Sequence, residues 1–146
     1  MFEPLASTFE LQGNGYVLES VGALAGYIPY TCYSSLGSYI EKNPETIQGF
    51  SNALYKGMVW VDEHTAKEVA EVILPQFADS DVDFIAKIVQ TYKDLGAWNP
   101  DLVLGEDGYN RLIDIMMTAG EIEEGAPYDK IQTPEFALKA KENYKK

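Results

Sequence analysis

His64 stands between Glu63 and Thr65 as the single histidine of the chain. An imidazole can exchange a proton near neutrality or hold a metal, but a metal needs further ligands, and neither an HExxH pattern nor a spaced histidine pair is present. It reads as a solvated group in an acidic turn. Cys32, the one cysteine, would need a base beside it to act as a nucleophile, and it excludes an internal disulfide or a multi-thiolate metal site. Its setting predicts a small buried thiol in a strand. Asp79-Ser80-Asp81-Val82-Asp83 opens with the rhythm of a calcium loop, yet Phe84 occupies the glycine position and Gln90 the position of the closing glutamate. Carboxylates at the start of a helix explain it better. Gly13-Asn14-Gly15 lacks the strand, GxGxxG, helix order of a dinucleotide site and reads as a turn. The residues therefore predict no catalytic constellation, no metal, no cofactor and no enzyme.

Two places remain where polar and aromatic groups converge outside a helix, namely Glu3-Pro4 and Tyr27 to Cys32. A few hydroxyls, aromatic faces and backbone amides suffice to fix a small solute when apolar packing holds them from behind. The elements that must position them follow from periodicity. Pro4 suits the first turn of a short helix carrying Leu5, Ala6 and Phe9, which Gly13 stops. Residues 16–20 and 28–35 are rich in strand formers, and Pro29, lacking a donor, belongs at a strand start or edge.

From residue 38 the period lengthens to that of a helix. Asn43 and Pro44 open a helix of about five turns with Ile47, Phe50, Leu54, Met58 and Val61 on one face. Thr65 caps a second helix with Val69, Ala70, Ile73 and Phe77 facing inward, disturbed at its end by Pro75. Asp79 or Ser80 caps a third, with Val82, Ile85, Ala86, Val89 and Tyr92 inward and Gly96 as its stop, before an extended turn at Trp98-Asn99-Pro100. A fourth runs from about Asp107 to Ala119 with Leu112, Ile113, Met116 and Met117 as its stripe. A tail helix opens at Thr133-Pro134-Glu135. The expectation is a helix-rich α/β unit, with a strand-containing segment at 1–36 and a helical part at 37–146.

The chain has 146 residues, enough for one core and too few for two full domains. It carries 23 acidic against 11 basic residues, a formal charge of -12, and its only basic clustering is Lys139, Lys141, Lys145 and Lys146. Nucleic-acid backbones would be repelled. No basic and apolar leader opens the chain and no run of eighteen apolar residues occurs, so neither a signal peptide nor a membrane span is read here.

Glu3-Pro4, the Gly13-Asn14-Gly15 break, Ile28-Pro29-Tyr30-Thr31, Lys42-Asn43-Pro44-Glu45 and Ala119-Gly120-Glu121-Ile122 together resemble, in order and spacing, the C-terminal part of ABC-transporter solute-binding proteins. The similar subgroup handles nitrate, sulfonates, taurine and thiamine-precursor pyrimidines. That resemblance implies a partial lobe of the type II periplasmic-binding-protein fold, a small organic or anionic solute held between two lobes, an ABC permease as partner and an extracytoplasmic setting for the full-length protein. It would place Glu3 on the cleft side of the second lobe and Tyr30 and Thr31 near the crossing between lobes. The opening residues then read as a continuation of missing upstream sequence, and a core built to meet an absent lobe would pair with a second copy or exchange strands with it. The thiamine-pyrimidine synthase, similar in fold family, is an enzymatic alternative, which one cysteine and one histidine support poorly. A free-standing helical interaction protein is another.

Overall fold

The computed structural model describes residues 1–99 and 102–144. Pro100, expected in an extended turn, and Lys145 and Lys146 of the basic cluster lie outside the described residues. Eight α-helices occur among the described residues: α1 (Leu5–Leu11), α2 (Val21–Ala25), α3 (Gly37–Lys42), α4 (Pro44–Glu63), α5 (Ala66–Ile73), α6 (Val82–Asp94), α7 (Glu106–Thr118) and α8 (Glu135–Asn143), with short 3-10 turns at Leu74–Gln76 and Tyr128–Lys130.

No strand is present among the described residues, which corrects the expected α/β class and the short strands that were to open it. Residues 28–35 have strand-forming composition, but a strand persists only beside a neighbouring strand that takes up its backbone groups, and among the described residues no strand stands beside them. At the other run, Ser20 redirects the chain. Its hydroxyl accepts from the Ala23 amide at 3.3 Å and its carbonyl from the Leu24 amide at 3.2 Å, which starts α2. Cys32 is exposed, not the buried thiol a strand would have made of it.

The chain divides into two units, one formed by Met1–Ala25 and Val59–Asn99, the other by Gly26–Met58 and Pro100–Lys146. In the first, α5 packs on α6, and Ala66, Val69, Ala70, Ile85, Ile88 and Val89 form its core, flanked by Trp60, Ile73 and Tyr92. Each buried valine or isoleucine contributes about 2 kcal/mol by leaving water. Thr65 starts α5 with a complete capping box: its side chain accepts from the Glu68 amide while Glu68 accepts from the Thr65 amide. Asp81, one or two residues later than expected, caps α6 through the Phe84 amide at 2.8 Å. Gly96 ends α6 at φ +59, where its amide reaches the Lys93 carbonyl and that of Ala97 the Tyr92 carbonyl. That left-handed turn suits glycine. Pro75 replaces the last turn of α5 with the 3-10 turn.

In the second unit, Gln48 on α4 donates to the Phe136 carbonyl at 3.0 Å and Tyr55 meets the ring of Tyr144 at 5.6 Å, which ties α8 to α4. Tyr109 on α7 donates to the Ala126 carbonyl at 2.6 Å, and Tyr128 donates to the Leu104 carbonyl. Ile113 lies against Gly125, where a Cβ would come within 2.6 Å of its methyl. Met117, expected in the α7 core stripe, is exposed.

Candidate binding site

Glu3 belongs to the first unit, and its half-buried carboxylate serves the start of α1. One oxygen accepts from the Ser7 amide and the other from the Ser7 hydroxyl, each at 3.1 Å, and Ser7 is buried. A carboxylate held by an amide and a hydroxyl is fixed in direction, and its remaining lone pairs can still accept from a ligand. Tyr30 and Thr31 belong to the second unit, where they are exposed on the irregular segment between α2 and α3. Nearby on that segment, Tyr33 sets its ring edge-on to Phe50 of α4 at 5.0 Å.

His64 does not stand in solvent as its acidic neighbours suggest. It is half-buried, its Nδ1 lies 2.7 Å from the Trp60 carbonyl, and its ring stacks on Trp60 with centroids 4.2 Å apart. Beside it, Lys93 of α6 donates to the carbonyls of Val61 at 2.5 Å, His64 at 2.7 Å and Asp62 at 3.4 Å. An ammonium among the last carbonyls of a helix satisfies groups that have no partner within it and complements the dipole. The C-terminal end of α4 is thus a structural joint.

Two carboxylates are held below their usual range. At Glu10 the chief cause is the Val17 amide, with Lys87 adding a hydrogen bond and an ion pair at 3.3 Å. At Glu68 it is the Thr65 amide, followed by the Thr65 hydroxyl and the nearby His64. Both serve local folding. The residue that sequence reasoning passed over is Arg111 on α7, whose Nη1 donates to the Tyr27 carbonyl at 2.6 Å, 84 positions away in the chain. Its signal was visible, since it is the one arginine of the chain.

No family model matches the chain, and no solved structure matches it. It is similar to "Putative binding protein YtlA" of Bacillus subtilis (strain 168), with 37% identity over 139 residues. The similarity covers 95% of this chain and 42% of that protein, so the chain spans about two fifths of the length of the relative it matches.

Proposed function

We propose that this chain is part of a solute-binding protein, the C-terminal portion of the component that captures a small organic or anionic solute for an ABC importer. The observation that carries the binding role is the 37% identity, running along 95% of the chain, to the protein named "Putative binding protein YtlA". The importer assignment rests on the ordered motifs from Glu3-Pro4 to Ala119-Gly120-Glu121-Ile122. In this reading the solute sits in a cleft of the full-length protein, outside the cytoplasm, and the loaded protein meets an ABC permease. Tyr30 and Thr31 of the second unit are assigned as solute contacts, and Glu3 of the first is assigned separately as an acceptor. The chain works by closing on a ligand, which stabilises the closed form only as far as it binds that form more tightly than the open one. It performs no chemistry on the solute. Two copies of this chain by itself associate through apolar residues left open.

The test is calorimetric titration of the longest natural reading frame that contains these residues, compared with Tyr30→Ala and Thr31→Ala. Each substitution is expected to weaken solute binding about tenfold, the loss of one good contact. Unchanged affinity in both would remove these residues from the site.

A further inference from the structure

Gly13-Asn14-Gly15, which marks no dinucleotide site, follows α1 and leaves an asparagine beside a glycine at the surface. The Gly13 amide donates to the Glu10 carbonyl and that of Asn14 to the Phe9 carbonyl, each at 3.0 Å, and Gly13 takes φ +70 to make this closing turn. Beyond it the helical hydrogen bonds stop. The Gly15 amide has no protein acceptor among the described residues, and a Cβ built on Gly15 would meet nothing within 4 Å. Asn14 is exposed, and its Nδ2 donates to Gln12 Oε1 at 2.9 Å, an exposed contact that water can replace.

An asparagine followed by an unhindered amide can react within its own backbone. The Gly15 nitrogen, once hydroxide has taken its proton, attacks Cγ of Asn14; the N–Cγ bond forms, the Cγ–Nδ2 bond breaks and ammonia leaves. Water then opens the resulting succinimide at either carbonyl, giving aspartate or isoaspartate, with nothing oxidised or reduced. The attack needs conformational freedom and an unengaged amide at the following residue, which a glycine outside a helix has and a helix interior withholds.

The remaining asparagines are shut off from this reaction. Pro44 follows Asn43 and Pro100 follows Asn99, and proline carries no amide hydrogen to lose. Asn52 lies inside α4 and Asn110 inside α7, where the next amide is held in the helix. Asn143 ends α8, and the Tyr144 amide after it donates to the Lys141 carbonyl at 3.4 Å.

We infer that Asn14 is a site of self-modification, at which the folded chain converts this asparagine to aspartate and isoaspartate without an enzyme. The site stands whether or not the chain serves an importer. Either product adds a carboxylate to the turn that follows Glu10. The isoaspartyl form also lengthens the backbone between α1 and Val17, whose amide donates to Glu10 Oε1 at 2.9 Å. The modification thus loosens the clasp between α1 and the segment that follows it.

The test is timed incubation of the full chain at neutral and at mildly alkaline pH, followed by peptide mass mapping and labelling with a protein-isoaspartate methyltransferase. Asn14 is expected to exchange ammonia for water before any other asparagine, at a rate proportional to hydroxide. Gly15→Ala, whose Cβ has open space and whose φ lies outside the left-handed region, keeps the fold and slows conversion about tenfold by crowding the attacking nitrogen. The purified isoaspartyl form is expected to exchange its Val17 amide hydrogen faster than Asn14→Asp, which has the new charge without the longer backbone. Earlier conversion of another asparagine, a rate indifferent to pH, or equal rates in the parent and Gly15→Ala would overturn the site. Val17 exchange equal in the isoaspartyl form and Asn14→Asp would overturn the loosening.

Discussion

Lys93 joins α6 to the end of α4 by placing one ammonium among the carbonyls of Val61, Asp62 and His64. Replacing it with methionine keeps the stem and leaves the half-buried carbonyls of Val61 and His64 without their charged donor. Lys93→Met is expected to lower stability by about 1.5 kcal/mol, read by denaturant unfolding, because hydrogen bonds to a charged group exceed neutral ones in worth. Stability equal to that of the parent would mean that water replaces the ammonium at no cost. Glu10 makes a second prediction, one of pH. Its carboxyl is held low in the folded chain by the Val17 amide and Lys87, so its contribution is complete above the ordinary carboxylate range and is lost as pH falls through the lowered folded value. Glu10→Gln should therefore lose stability relative to the parent at neutral pH and converge with it in acid. A gap that widened on acidification would show the sign to be reversed.

At the scale of elements, α5 depends on its first turn. Thr65→Ala removes the hydroxyl that accepts from the Glu68 amide, and about 1 kcal/mol of stability is expected to go with it, measured by thermal or urea unfolding. Unaltered unfolding would place the stability of α5 wholly in its packing on α6. Starts and stops of this kind were legible in the chain because they are local: Pro44 opening α4, Thr65 capping α5, Pro75 breaking it and Gly96 closing α6 each act within a few residues. The strand reading of residues 16–20 and 28–35 failed because composition speaks of a preference and a strand also needs a neighbour, while Ser20 was a cap that strand composition concealed. Among the site residues, the placement of Glu3 at a helix start follows from Pro4 beside it. The tether of Arg111 to Tyr27 spans 84 positions and no local pattern announces it.

For the whole molecule, apolar exposure is the feature that bears on association. Leu18 is 94% exposed and Tyr30 78%, and Tyr16, Val21, Leu24, Tyr33 and Leu36 are open as well. Apart from Glu19 no charge falls between Leu11 and Ile40, although the chain as a whole is strongly acidic, so the stretch that remains open is also the one least opposed by charge repulsion. Sedimentation of this chain should show concentration-dependent self-association that Leu18→Asp shifts toward monomer. Monomeric behaviour at about 100 μM would remove the expected pairing, since a stable interface would be occupied there. The relative's greater length makes the full reading frame the proper object for the functional test.

Solute capture is measured most directly by thermal shift of that full reading frame against sulfonates, nitrate, aromatic carboxylates and pyrimidines. One of them, at about 100 times its dissociation constant, is expected to add about 2.7 kcal/mol and raise the melting temperature accordingly. A melting temperature unmoved by every one of these solutes would contradict the proposed capture of a small organic or anionic solute.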